Sequence, residues 1–401
     1  MIFVFYFLAA VLIVLSFKSL RGGIAYLRFF QTEIAKPISD FTPFVTVVAP
    51  CRGLDDGLKE NLLALAGQDY PHYEVIFVVD DNADAAVSII EEVLRGAAKS
   101  AKRTKLVVAE KADDCSQKVE NLREAILHAD EKSEDFVFVD SDVRPSADWL
   151  RHLVTPLLNG DVGAATGYRW FISKNPSFAS ELRSAWNASI ASALGPNTSS
   201  NFCWGGSMAI RRDVFERLDV RAKWRGTLSD DFTVTRVMKE AGLPIVFVPQ
   251  ALTASIGDCE MAEMLEFTTR QMKITSVYAP PLWLVSLIGS GLFLTVLLTA
   301  LFITLFSSQN NFAVAFAIAT LVLIIIFSTG KSWLRLKAAR LVLTEYASEL
   351  KRQFWTQNAL WVIAPALFFY NCLAALFSRR LVWRGITYEL KSSTETVIIA
   401  D

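Results

Sequence analysis

Residues 135–150 read DFVFVDSDVRPSADWL. A run of aromatic and β-branched residues, Phe136 to Val139, ends on two aspartates one residue apart, Asp140 and Asp142. Such a run is strand-forming and, with no polar alternation, suits a strand buried on both faces. Two carboxylates ~4 Å apart repel by about 4 kcal/mol at an effective dielectric near 20. A strand ending on both therefore needs something to relieve the repulsion. A hard divalent cation, Mg²⁺ or Mn²⁺, takes carboxylate oxygens and bridges to substrate phosphates; the other reading is a solvated turn.

Working outward, the same grammar repeats. FVTVVAP (44–50), YEVIFVVD (73–80), KLVVAE (105–110) and DFVFVD (135–140) read as strands. Helical patterns lie between them, over 58–68, around 84–97, and over 117–129. Strands alternating with helices predict right-handed βαβ units and a Rossmann-like, mainly parallel α/β sheet. Further strands are expected at 162–170, 207–212 and 245–250, with helices near 176–194 and within 226–242. In open parallel sheets ligands bind beyond the carboxyl ends of strands. Asp80, Asp81, Asp140 and Asp142 all fall there.

The 401 residues carry a net charge of −1, so no global basic field points to nucleic acid. The hydrophobic share, 52%, is concentrated in a few segments. Residues 1–17, 282–306 and 312–328 hold no charge and are long enough to cross a bilayer, and 359–377 is a similar run interrupted by Pro365 and Asn371. The first lacks a basic n-region and an A-x-A-like site, which predicts an uncleaved anchor. Lys18, Arg21 and Arg28 after it place its C-terminal end in the cytoplasm. Five scattered cysteines with no CxxC suit a reducing compartment and argue against disulfides and zinc.

The expected organisation follows. Residues 1–20 form an anchor, 40–280 the α/β domain on the cytosolic side, and 281–330 a transmembrane pair. Residues 331–357, with six basic and two acidic side chains, form a cytosolic or interfacial helix. Residues 358–378 form a transmembrane or re-entrant helix, with the re-entrant form preferred, and 379–401 a cytosolic tail.

Four further groups could carry chemistry. Asp80–Asp81 close a strand and either meet a ligand or cap the next helix. Asp230–Asp231 sit in a loop opening a helix; either Ser229 or Asp230 caps it, or one carboxylate is a general base within reach of a hydroxyl. Lys118 at a helix start could meet a phosphate, although taken alone it reads as a surface lysine. Gly205-Gly206-Ser207 is a simple turn or a place where backbone approaches a ligand closely. His72, His128 and His152 lack ligand spacing.

PHYEVIFVVDDNADAA, QKVENL, VDSDVRPSADWL, GGSMAIRRDVF and LSDDFTVTRVMKEAG stand in the order and rough spacing of a known set. Together they resemble the family 2-type glycosyltransferases with a GT-A fold, and within them the ceramide glucosyltransferase-like branch. QDYPHYEV and the closing WRGITYEL (383–390) are similar to that branch too. The likeness runs from the N-terminal anchor to the tail. It implies that Asp81, with Asp80, holds the uracil and ribose end of a UDP-sugar, joined by Lys118, Asn121, Gly206 and Ser207. It also implies that Asp140 touches the ribose, that Asp142 with Asp140 binds the metal on the diphosphate, and that Asp231, beside Asp230, is the catalytic base.

One segment departs. Where the family carries a (Q/R)xxRW box, this chain has Arg270-Gln-Met-Lys273-Ile274. Two positive charges remain as candidate catalytic groups, but Lys is not equivalent to Arg at a bidentate site, and the flat tryptophan wall is gone. The resemblance implies an inverting hexosyltransferase that uses Mg²⁺ or Mn²⁺ and moves sugar to a membrane lipid hydroxyl, ceramide-like or hopanoid-like, at the bilayer surface. The alternatives are a processive polysaccharide synthase, for which three or four spans are few, and a non-catalytic scaffold whose nucleotide-binding fold has decayed.

Overall fold

The computed structural model describes residues 2–99, 103–307 and 311–400. The chain divides into two compact units. One comprises residues 32–175, 193–258 and 379–401; the other comprises 1–31, 176–192 and 259–378.

The first unit is built on seven strands: β1 (Val45–Pro50), β2 (Tyr73–Val79), β3 (Arg103–Val108), β4 (Asp135–Phe138), β5 (Ala164–Ile172), β6 (Met208–Arg211) and β7 (Ile245–Ile256). They lie in the order β3-β2-β1-β4-β6-β5-β7. Strands β1 to β4 pair in parallel, β6 runs antiparallel to β4 and β5, and β5 pairs parallel with β7. The mixed but mainly parallel α/β sheet is the one the alternating pattern predicted. Its central strands are buried at every described position of β2 and β4, because helices cover both faces and leave no polar side. Strand order reverses at β1, which has β2 on one side and β4 on the other. This topological switch opens a crevice at the carboxyl ends of β1 and β4.

In this unit the sheet is covered by α2 (Leu58–Ala66), α3 (Ala85–Lys99), α4 (Gln117–Leu127) and α5 (Trp149–Val154), then, past β5, α7 (Arg212–Arg217), α8 (Val220–Lys223) and α9 (Asp230–Glu240). The residues after 378 are not a loose tail. They form β8 (Arg380–Trp383), β9 (Ile386–Ser392) and β10 (Glu395–Ala400), a three-stranded antiparallel sheet within this same unit. The buried Tyr388 hydroxyl accepts from the Gln117 amide at 3.1 Å, and Arg236 donates to Ser393 at 3.0 Å. The run was too short and too mixed to be read as a sheet before its partners were known.

The second unit is helical: α1 (Ile2–Ile34), α6 (Phe178–Ala191), α10 (Met261–Tyr278), α11 (Pro280–Phe306), α12 (Asn311–Val342), α13 (Ala347–Arg352), α14 (Phe354–Ala359) and α15 (Ala364–Phe377). Of these, α1, α11 and α12 are long and apolar enough to cross a membrane. Segments 354–362 and 364–377 meet at a 56° bend just before Pro365. The boundaries differ from expectation in three places. The N-terminal helix runs to Ile34 rather than 20, α10 and α6 leave the α/β domain for this unit, and 331–342 continues α12 rather than opening a separate helix. The five cysteines are all buried and unbridged.

Candidate functional site

Four acidic positions converge where the switch crevice opens. The loop after β1 carries Asp55, the end of β2 carries Asp80 and Asp81, the end of β4 carries Asp140 and Asp142, and the first turn of α9 carries Asp230 and Asp231. Ser229 caps α9 by accepting from the Phe232 amide at 3.4 Å, so the capping role belongs to the serine and the aspartates sit in the first turn, where the helix dipole favours negative charge.

Lys118 is the hinge of the cluster. Its ammonium lies 2.7 Å from Asp140 and 3.1 Å from Asp230. The reading of Lys118 as a surface lysine is corrected: its side chain is 14% exposed and joins the β4 pair to the α9 pair. Burial alone would lower its pKa, but Asp140, Asp230 and Asp231 raise it above the ordinary lysine value. Lys118 is therefore a fixed cation. It is placed by α4, whose N-cap Ser116 accepts from the Val119 amide and donates to the Leu228 carbonyl just ahead of α9.

A second cation comes from β5. The Arg169 guanidinium lies 2.9 Å from Asp142 and 3.9 Å from Asp140, and packs over the Trp204 and Phe171 rings at 4.9 and 5.3 Å. Burial tends to raise the Asp140 pKa, but Lys118 and Arg169 outweigh it and hold the carboxyl below the usual range.

The third arrives from the C-terminal sheet. Arg384 and Gly385 form the two-residue connection between β8 and β9, with φ of 53° and 86°. Positive φ at both positions is the type I′ hairpin geometry, which glycine accepts readily and arginine does not. The Arg384 guanidinium is 2.5 Å from Asp55, whose other oxygen accepts from the Ser141 hydroxyl at 2.7 Å. Burial lowers the Arg384 pKa, but Asp55, Asp142 and Asp140 together raise it. Neither Arg169 nor Arg384 nor Asp55 was singled out from sequence. Asp55 carried a signal, since it follows β1 as Asp80 follows β2. Arg384 stood in the quoted WRGITYEL stretch with no role given to it, and Arg169 carried no signal, being fixed only by the fold.

The first acidic pair splits by environment. The Asp80 carboxylate is 1% exposed and bound by Arg52 and by Lys111 at 2.7 Å. Asp81 is exposed and accepts the Ala83 amide at 2.8 Å. Three other residues expected to bind the donor, Asn121, Ser207 and Gly206, are placed as follows. Asn121 is 2% exposed and its carbonyl oxygen accepts from Gln117 one turn earlier on α4, whose side chain also reaches the Glu110 carbonyl and the Ala112 amide of the preceding loop. Ser207 is fully buried; its hydroxyl accepts from the Trp149 indole at 2.9 Å and donates to the Ala251 carbonyl at 3.3 Å. Gly206 lines the site by backbone: a Cβ there would sit 2.8 Å from Asp140 and 2.2 Å from the Trp204 ring. Arg270 and Lys273 are not in this unit. They lie on α10 of the helical unit, with Arg270 3.8 Å from Glu266.

Asp230 and Asp231 also differ. Asp230 is 2% exposed, and burial, opposed by Lys118 and reinforced by Asp231 and Asp140, pushes its pKa up to about 6. Asp231 is partly exposed; it accepts from the Phe232 amide at 2.7 Å, the Gly205 amide at 3.2 Å and the Ser229 hydroxyl. Because the fold raises the Asp230 pKa, its stabilising contribution is full below the ordinary value of 3.8 and lost as pH rises through about 6. Across that window the wild-type unfolding free energy should fall by an amount on the order of 3 kcal/mol more than that of Asp230→Asn. Asp135, pushed up to about 7 by burial, acts with the same sign in both proteins and cancels in the difference. Denaturant titrations at pH ~4 and ~6.5 measure it; parallel curves for the two proteins would rule out the assigned titration.

Asp142 Oδ1 and Asp230 Oδ2 are buried without a hydrogen-bond partner. Among the described residues no three His, Cys, Asp or Glu side chains come together as a metal cluster. A divalent cation here would thus rest on Asp142 and Asp140 and draw its remaining oxygens from a bound diphosphate and water, as Mg²⁺ commonly does. The orphaned Asp142 oxygen fits that use.

Two solved structures illustrate the likeness of the fold. The mannosyltransferase PcManGT from Pyrobaculum calidifontis, in complex with GDP-Man and Mn²⁺, is 21% identical, with 92% of this chain and 99% of that chain covered and a TM-score of 0.46. TarS residues 1–349 of S. aureus, in complex with UDP-GlcNAc, is 13% identical over 89% of this chain and 100% of that one, with a TM-score of 0.40. At these scores neither bears on the chemistry. The decisive match is to the family described as Glycosyl transferase family 21, which spans residues 4–396. Nearly the whole chain, both units included, is accounted for by that match: it belongs to glycosyl transferase family 21, the ceramide glucosyltransferase-like family, and is a GT-A glycosyltransferase.

Proposed function

We propose that this glycosyltransferase moves a hexose or N-acetylhexosamine from a UDP-sugar to a hydroxyl of a membrane lipid, ceramide-like or hopanoid-like, with inversion. The observation that carries the reading is the Lys118 bridge, which puts the Asp140 and Asp230 carboxylates on one ammonium and so joins the strand-end pair to the α9 pair in a single site. The lipid acceptor is supported by the three helices long and apolar enough to cross a membrane. An enzyme anchored there reaches a headgroup without extracting the lipid.

The step uses residues of the α/β unit alone. Asp231, partly exposed and held by the Phe232 and Gly205 amides, takes the proton of the acceptor hydroxyl as its oxygen attacks the anomeric carbon. The bond from that carbon to the diphosphate oxygen breaks, and the nucleotide diphosphate leaves from the opposite face. Asp81 binds the uridine end, Asp140 meets the ribose, and Asp142 with Asp140 holds Mg²⁺ or Mn²⁺. When bound, the cation supplies charge neutralisation for the leaving diphosphate. Asp230, buried against Lys118, positions that lysine.

Membranes containing the protein, incubated with a panel of radiolabelled UDP-sugars and GDP-mannose, should yield labelled lipid from one UDP-sugar. Label from GDP-mannose alone would overturn the donor assignment, and label only in water-soluble product would overturn the acceptor assignment.

Arg384 adds a specific expectation. Its strained backbone is held by the Arg52 side chain, which donates to the Arg384 carbonyl at 3.1 Å. Arg384→Gly keeps the turn and removes the guanidinium. We expect kcat/KM for the donor to fall about 10- to 100-fold, the worth of one or two charge-assisted hydrogen bonds, alongside some loss of stability because Asp55 loses its ion-pair partner. Undiminished kcat/KM would reduce Arg384 to a turn residue.

Membership of 379–401 in the α/β unit supports a topology as well. If α1, α11 and α12 each cross, the chain returns after α12 to the side of the α/β unit. The bent segment 354–377 must then enter and leave on that side. A single cysteine introduced at exposed Lys391, in a cysteine-free background, should be labelled from the face that carries the active site; labelling from the other face would make 354–377 a full span.

A further inference from the structure

The helical unit contains a cavity of about 410 Å³ that the transfer chemistry does not use. Its lining is graded. The apolar part is made by Leu12 of α1, Leu292 and Phe293 of α11 and Phe327 of α12. The polar part is made by Ser16 and Ser19 of α1, Ser286 of α11, and Ser328 and Ser332 of α12, together with the cations Lys331 and Arg335. The grading is spatially consistent, because α1 and α12 run side by side in the same direction: Phe5 contacts Phe316, Phe17 contacts Phe327, and a Cβ on Gly330 would touch Leu20.

The charge is one-sided. Arg335 is 5% exposed, and its Nε is buried with no hydrogen-bond partner. Among the described residues no carboxylate lines the cavity, and neither Lys331 nor Arg335 makes an ion pair. Nor do the hydroxyls of Ser16, Ser19, Ser328 and Ser332 have a hydrogen-bond partner among those residues. A buried cation without a counter-charge is costly, and within a membrane segment it marks a place where something else supplies the charge. Two cations and four spare hydroxyl donors match the oxygens of a phosphodiester, and the apolar end continues from them as acyl chains continue from a headgroup.

We propose that this cavity is a binding site for an anionic phospholipid, with its phosphate on Lys331 and Arg335 and its chains against Leu12, Phe293 and Phe327. The inference rests on the helical unit alone, so it stands or falls apart from the assignment of the transfer step.

The test uses the full-length protein in nanodiscs of equal phosphatidylcholine and phosphatidylglycerol, transferred to neutral detergent, with retained lipid counted by native mass spectrometry. Phosphatidylglycerol should be enriched about tenfold over phosphatidylcholine. The enrichment should vanish in Lys331→Gln/Arg335→Gln. Should that variant fail to fold, Gly289→Leu serves. Gly289 lines the cavity, and a Cβ there meets nothing within 4 Å, so a larger side chain can be introduced at that point of the lining. It should abolish the enrichment while leaving the melting temperature of the delipidated protein unchanged. Equal retention of the two lipids, or enrichment that survives Gly289→Leu, would overturn the proposal. So would equal thermal protection of the delipidated protein by inorganic phosphate alone, which would show an anion site with no role for the chains.

Discussion

Asp231→Asn should lower kcat by a factor of about 10² to 10⁴, the range for loss of a positioned general base. The substitution is nearly isosteric, and an asparagine carbonyl in the Oδ1 position can still accept from the Phe232 amide, while the Gly205 amide alone loses its acceptor. Fold and donor affinity should therefore persist, leaving a fall in kcat with nucleotide binding unchanged. That split separates a base from a structural aspartate, whose loss would weaken both. Isothermal titration with UDP beside the lipid-transfer assay gives the two readouts. Transfer within a few-fold of wild type would remove Asp231 from the mechanism and direct attention to Asp230, whose pKa of about 6 suits proton transfer but whose side chain is 3% exposed.

Lys118→Met should strongly destabilise the α/β unit. It removes one cation and leaves two carboxylates facing each other, of which Asp230 is almost wholly buried. Breaking a buried ion pair from one side costs about 3–5 kcal/mol, because the remaining charge has neither water nor partner. Arg169, 3.9 Å from Asp140, offsets part of this for Asp140 and none of it by direct contact for Asp230. Lys118→Met/Asp230→Asn should thus recover much of the loss, a non-additivity that a double-mutant cycle measures directly. Additive effects, or loss below about 1 kcal/mol by denaturant titration, would show that Lys118 carries little of the cluster.

Much of the α/β unit was legible because its signals are local. An apolar run with no alternation, as in VIFVV or FVFV, can only be satisfied by burial on both faces, and the intervening helices supply that burial. The observed strands differ from expectation by a few residues, chiefly in β7, which runs on to Ile256. The acidic strand ends were legible for the same reason, since topology puts them at one edge. Taken alone, Lys118 read as a surface lysine because its own charge is the only local signal; the carboxylates that hold it inside come from β4 and from α9, more than 100 residues later. Within the matching motifs, the Asn121 Oδ1 and the Ser207 hydroxyl are engaged by Gln117 and by Trp149 and Ala251, contacts that no local pattern announces.

The aspartates of DFVFVDSD show the division plainly. By itself, the sequence determined that β4 is a buried strand in a parallel array and that Asp140 and Asp142 project from its carboxyl end, since strand propensity and burial act over a few residues. It also marked α1, α11 and α12 as apolar enough to cross a membrane. What relieves the repulsion of the pair was decided only by tertiary structure. Lys118 from α4, Arg169 from β5 and Arg384 from the C-terminal hairpin supply positive charge before any metal is considered. Electrostatic partnership depends on distance in space, and no local rule in the chain encodes which distant cations the fold will bring to that edge.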